Sequence, residues 1–146
     1  MIKLSGQCLC GSVQYKYHGK MGKIVHCHCS KCRKWHGAAF RSRAVVEKAS
    51  FHWISGKDQL LFFDSSENVS KSFCGKCGSN LVSFYKHNDH ILGLPLGAIE
   101  GHLDYIEQIH IFTKYKAVWY QITDHHPQYP ELPEDKSIIH KLMESE

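Results

Sequence analysis

Gly6-Gln7-Cys8-Leu9-Cys10-Gly11 and, far downstream, Phe73-Cys74-Gly75-Lys76-Cys77-Gly78-Ser79 are the two stretches on which the fold turns. The pair Cys74 and Cys77 forms a zinc knuckle. Two intervening residues let a tight turn aim both sulfurs at one ion, and glycine supplies the positive φ such a turn needs. Cys8 and Cys10 are two positions apart, so on a regular strand their side chains would point to opposite faces. They must leave the strand to share an ion, and Gly6 and Gly11 ease that departure. Two sulfurs from each stretch complete a tetrahedral four-thiolate structural site, the alternative being a mixed partition of ligands. Such a site ties the N-terminal strand to a hairpin far along the chain.

The remaining three of the seven cysteines lie in Cys27-His28-Cys29-Ser30-Lys31-Cys32. Three soft ligands in one short segment suit a zinc with one open position, able to take water or a thiol whose pKa the ion lowers. Cys27, Cys29 and Cys32 are therefore the candidate catalytic residues. Two other readings stand beside this one. His36, four positions after Cys32, can close the site if the segment turns helically there, and the three thiols can form a metal-free reactive or disulfide cluster. His28, between two ligands, is expected to point away from the ion. The pair His125 and His126 is read as solvated or satisfied in the core.

The rest of the chain reads as mainly β. Alternation at Val13, Tyr15 and Tyr17, at Phe51 and Trp53, at Val69, Lys71 and Phe73, and at Ile109 and Ile111 predicts half-buried strands. Apolar runs at Phe40 to Val46, Leu60 to Phe63, Leu81 to Tyr85, Ile91 to Leu94 and Val118 to Ile122 add more, with turn-forming residues between them. About ten short strands fit a distorted β-sandwich or barrel. A short C-terminal helix is expected after Pro133, with Glu134 and Asp135 at its positive end and Ile138, Ile139, Leu142 and Met143 as its apolar stripe. No repeat or linker divides residues 1–146, so one domain is expected.

Composition narrows the function. Hydrophobic residues make up 42% and charged residues 22%, which excludes a disordered chain. The N-terminus has no apolar leader, and the longest uncharged apolar stretch, Ile91 to Ile99, is too short to span a membrane. A cytoplasmic location follows as the expectation, where an odd number of clustered thiols binds metal rather than pairing as disulfides. The formal charge is +4. Zinc with four thiolates is a dianion and with three a monoanion, so loading both sites would bring the chain to about +1. That balance argues against a nucleic-acid or anionic-membrane partner.

Taken together, Gly6-x-Cys8-x-Cys10-Gly11-x-Val13-x-Tyr15, Cys27-His28-Cys29-x-x-Cys32-Arg33-Lys34-x-x-Gly37 and Phe73-Cys74-x-x-Cys77-Gly78-Ser79 form a specific pattern. It resembles the glutathione-dependent formaldehyde-activating enzyme family, which also includes centromere protein V. Supporting segments (Leu96-Gly97, His110-Ile111-Phe112, Lys114 and Trp119 to Asp124) extend the likeness over residues 5–130. The resemblance implies an Mss4-like fold, as in the small zinc-bearing Rab-binding proteins. It also implies two zinc ions per chain, one structural on Cys8, Cys10, Cys74 and Cys77, and a second on Cys27, Cys29 and Cys32. The activity it implies is that of a carbon-sulfur lyase, joining glutathione and formaldehyde as S-(hydroxymethyl)glutathione.

The expected partners are glutathione or a similar small thiol and a small aldehyde. Glutathione's two carboxylates need cationic partners, and Arg33, Lys34, Arg41 and Arg43 lie near the ligand loop in sequence, with Trp35 a candidate pocket wall. The competing functions are a non-catalytic zinc-stabilised binding module, for which the end Met143-Glu144-Ser145-Glu146 offers no basic tail, and a zinc/thiol redox sensor.

Overall fold

A computed structural model describes residues 1–143; residues 144–146, the acidic end, lie outside the described residues. The elements in order are β1 (Ile2–Gln7), β2 (Gln14–Gly19), β3 (Ile24–Cys27), α1 (Ser30–His36), β4 (Arg41–Glu47), β5 (Phe51–Ser55), β6 (Leu60–Asp64), β7 (Val69–Cys74), β8 (Asn80–Tyr85), β9 (Ile91–Pro95), β10 (Ile99–Glu100) and β11 (Gln108–Ile111). Among the described residues they form two sheets, one of four strands in the order β10-β1-β2-β5 and one of seven in the order β11-β3-β4-β9-β8-β7-β6. Pairing is antiparallel except between β11 and β3, where His110 stands opposite His26 and Ile111 opposite Cys27. The fold is therefore mainly β, as expected.

Period-two patterning explains the layers. In β2 every second residue is buried, so Tyr15 and Tyr17 face inward while Gln14, Lys16 and His18 face water. The main core joins those tyrosines and Leu4 of the smaller sheet, with Val13 just before β2, to Ala44, Val46, Val82, Leu92 and Leu94 of the larger one. A second cluster of Val25, Cys27, Cys32, Ile109, Ile111 and Ile139 lies under the ligand loop.

Three segments differ from expectation. Val118 to Ile122 is not a strand; Val118 and Trp119 project into solvent, and the backbone turns between Ala117 and Tyr120. The sheet edge it would have joined is already taken. His110 N–H donates to Pro127 O (2.8 Å) and Tyr129 N–H to His110 O (2.9 Å), so the following segment lies along β11.

The terminal helix is a single 3-10 turn, Lys136–Ile139, capped by Asp135. Ile139 packs on the second cluster, but Leu142 then bridges Gly22 and Met143 N–H reaches Met21 O. That backbone pairing ends the helix, and only glycine permits it, since a Cβ at position 22 would lie 2.6 Å from Val45 Cγ2 and 2.8 Å from Lys141 O. The one α-helix among the described residues is α1, inside the ligand segment, where the sequence suggested a helical turn only as a condition for His36.

Leu94, 1% exposed, sits where the two sheets meet. Leu94→Ala is expected to cost about 2–5 kcal/mol in urea unfolding through the cavity it leaves.

Candidate metal centre

β1 ends at Gln7, one residue before Cys8, so the chain leaves the strand where two sulfurs must converge. The Cys8-to-Cys10 turn and the knuckle are built alike. Gly11 N–H bonds Cys8 O and Gly78 N–H bonds Cys74 O, and both glycines hold φ of 77°. Cys8, Cys10, Cys74 and Cys77 gather with all four sulfurs within 4.8 Å of one another.

Cys8 Sγ lies 3.6 Å from Cys10 Sγ, and Cys10 Sγ lies 3.9 Å from Cys74 Sγ. Zinc–sulfur bonds of about 2.3 Å in a tetrahedron put sulfurs about 3.8 Å apart, whereas a disulfide needs about 2.05 Å. The spacing fits a metal ion and not a cross-link. Val13 N–H points at Cys8 Sγ (3.3 Å) and Lys76 N–H at Cys74 Sγ (3.4 Å), donors suited to thiolate sulfur. The Ser79 hydroxyl, 3.2 Å from Cys77 Sγ, draws that thiol down to about 5, and burial pushes Cys8 up to about 11. These contacts suit anchoring.

The second group forms where β3 meets α1. Cys27 ends the strand, Cys29 caps the helix by accepting Cys32 N–H (3.4 Å), and Cys32 occupies the first turn. Positions 29 and 32 share a helix face. The sulfurs of Cys27, Cys29 and Cys32 lie within 4.8 Å of one another, and among the described residues no His, Asp or Glu joins them as a fourth donor.

His36 is elsewhere. Its Nδ1 lies 3.2 Å from the Asn80 side-chain amide, and burial holds its pKa down at about 4. His28 points away, as expected, and is fully buried. Its Nε2 meets His110 Nδ1 at 2.8 Å; burial first, then the His110 charge, lower it to about 4.

A cleft of about 370 Å³ opens over the three cysteines and is walled by Arg41, Arg43, Lys71 and Phe112. The three cations are buried, at 7%, 8% and 5% exposure. Arg41 Nη1 donates to Cys32 Sγ (3.3 Å), Arg43 Nη1 to Ser83 Oγ (3.4 Å), and Lys71 Nζ stands 5.5 Å over the Trp35 ring. Among the described residues none of the three meets a carboxylate, and Arg41 Nε has no hydrogen-bond partner. Burial lowers the pKa of Lys71 and Arg43, and their neighbouring cations add to the effect. Such a group is costly unless an anion completes it. Mutual hydrogen bonds among the three thiols push Cys27 up and Cys32 down, and Arg41 and Lys71 deepen the fall at Cys32.

Of the four cations suggested by proximity in sequence, Arg41 and Arg43 wall the cleft and Arg33 and Lys34 do not. Lys71 was missed. Its signal was a lysine in phase with Val69 and Phe73, on the face an alternating strand turns inward. Trp35 packs between Phe63 and Phe73 and supports Lys71 without walling the cleft. His110, which partners His28, and Asp124, which partners His110, carry no spacing signal that separates them from solvated residues.

Comparison with known proteins agrees with the cysteine pattern. The profile of the glutathione-dependent formaldehyde-activating enzyme family matches residues 3–115. A protein of Fusarium vanettenii, provisionally named a glutathione-dependent formaldehyde-activating enzyme, is 30% identical over 92 residues, covering 63% of this chain and 50% of that protein. One of Aspergillus oryzae with the same provisional name is 32% identical over 76 residues, covering 51% and 40%. The chain thus spans about half the length of the curated relatives it matches. A crystal structure of a Rhodobacter sphaeroides protein shares the fold, with a TM-score of 0.54 and 20% identity over 68% of this chain and 91% of that one. With the profile matching well over half of its length, the chain belongs to the glutathione-dependent formaldehyde-activating enzyme family.

Proposed function

We propose that this protein is a zinc-dependent carbon-sulfur lyase that joins glutathione, or a closely related small thiol, to formaldehyde as S-(hydroxymethyl)glutathione. The observation that carries the reading is the three-cysteine group, which has no fourth protein donor among the described residues and lies at the base of a cleft with three buried, carboxylate-free cations. Cys27, Cys29 and Cys32 would hold one zinc, and Cys8, Cys10, Cys74 and Cys77 a structural one. Zinc on three thiolates supplies an open coordination position and lowers the pKa of a thiol that takes it.

The chain's own residues do the rest. Arg41, Arg43 and Lys71 receive the carboxylates of the tripeptide and fix its sulfur over the three cysteines. The sulfur lone pair adds to the carbonyl carbon, a C–S bond forms, the C=O π pair moves to oxygen, and solvent water returns a proton to give the hydroxymethyl product. Ile111 and Phe112 form an apolar wall that limits water at the reacting carbon. Among the described residues no helix is long and apolar enough to cross a membrane. The proposed setting is the reducing cytoplasm, where seven free thiols persist. Residues 1–146 are read as one domain that carries both cysteine groups.

Two outcomes test the division of labour. Cys77→Ser is expected to lower the melting temperature by about 10 °C or more, a loss of roughly 3 kcal/mol, by opening the clamp between the sheets. Cys29→Ser should leave the fold within about 1 kcal/mol of wild type and abolish thiol binding. Equal melting of both variants contradicts the assignment.

The activity itself is read by exchange NMR of glutathione and formaldehyde, where the protein should speed adduct formation above the spontaneous rate. Lys71→Met should weaken glutathione about 10- to 100-fold while leaving 2-mercaptoethanol, which has no carboxylate, nearly unchanged. Equal loss for both thiols would mean that the cations do not read the carboxylates.

A further inference from the structure

His28 occupies an unusual position, between the cysteines that end β3 and cap α1. Residues two apart on an extended chain point to opposite sides. To bring Cys27 and Cys29 together the loop must bend at His28, and its side chain is sent to the far side. There the imidazole is fully buried and needs a polar partner. His110, on β11 and 1% exposed, provides it, with its Nδ1 2.8 Å from His28 Nε2. His110 Nε2 in turn lies 3.0 and 3.1 Å from the two Asp124 carboxylate oxygens. Asp124 is half-exposed and is itself held by His126 N–H.

A carboxylate only accepts, so the outer hydrogen bond of this chain is donated by His110 Nε2. His110 Nδ1 shares the inner hydrogen bond with His28 Nε2. His28 Nδ1 is buried and without a partner. The chain fixes the ring plane of the residue between two sulfur donors. His28 N–H donating to Ile111 O (3.1 Å) fixes the same point through the backbone.

We infer that Asp124, acting through His110 and His28, is a positioning residue that holds Cys27 and Cys29 in the converged arrangement and thereby sets the metal affinity of the three-cysteine site. This rests on the reading of Cys27, Cys29 and Cys32 as a metal site. Outer hydrogen-bond partners of metal ligands typically change affinity 10–100-fold when removed, because an unbraced loop must be ordered again at each binding event. The rings of Phe40 and Tyr120 pack on this region independently of Asp124 and should keep the fold when the carboxylate is lost.

The test titrates the full-length, two-zinc protein with a chromophoric chelator, using Cys29→Ser to assign the step that belongs to the three-cysteine site. Asp124→Ala should weaken that step 10- to 100-fold, leave the four-cysteine step unchanged, and leave the melting temperature of the one-zinc form unchanged, and His110→Phe should weaken the same step at least as much. Asp124→Asn, which keeps an acceptor for His110 Nε2, should recover most of the loss. Unchanged release from Asp124→Ala, equal weakening of both steps, or no recovery with Asn overturns the inference. If wild type and Cys29→Ser each hold one zinc, the metal-site reading fails and the inference with it. Two steps in wild type with unchanged Asp124→Ala defeat the positioning role alone.

Discussion

Cys10 Sγ and Cys74 Sγ stand 3.9 Å apart although 64 residues separate them in sequence. That convergence joins the turn after β1, in the smaller sheet, to the knuckle between β7 and β8, in the larger one. Neither turn can move without the other once an ion holds all four sulfurs. Each also carries a glycine at positive φ that bends the backbone toward the shared point. Beside this convergence β7 supplies Lys71 to the cleft. In the proposed function the anchoring cluster would reach the reactive one through that strand, and the two sites would divide stability from chemistry.

Charge gives the second cluster its character. Burying three cations is unfavourable unless anions share the space, and here the partial compensation comes from Cys32. A zinc with three thiolates contributes about one negative charge against three positive ones. The remaining deficit matches a ligand that brings carboxylates as well as sulfur. The same field would favour thiolate over thiol at an open position on a metal held there. In the proposed function recognition and activation would therefore share one set of side chains.

The fold was largely legible because strands of alternating burial write themselves into sequence with a period of two, and β2 is the clearest case. The two cysteine groups were legible because thiols clustered at two- and three-residue spacings suit a shared metal ion, and the structure gathers the same seven sulfurs into the same two sets. Val118 to Ile122 misled because an apolar run becomes a strand only where a sheet edge is free, and the segment after Pro127 holds that edge. The terminal helix was overdrawn because its stripe was right but the pull of Gly22 on Leu142 is a long-range contact. Lys71 lies too far from the ligand loop in sequence for proximity to find it. His110 becomes the partner of His28 only through the parallel pairing of β11 with β3, which no local pattern encodes.

The central claim is that one cysteine group is closed and the other accepts a thiol. Native mass spectrometry of freshly reduced protein, with and without glutathione, tests it most directly. The account predicts two zinc ions per chain and one glutathione retained without loss of zinc, the glutathione disappearing in Cys29→Ser. Two zinc ions with no retained glutathione in wild type would contradict it.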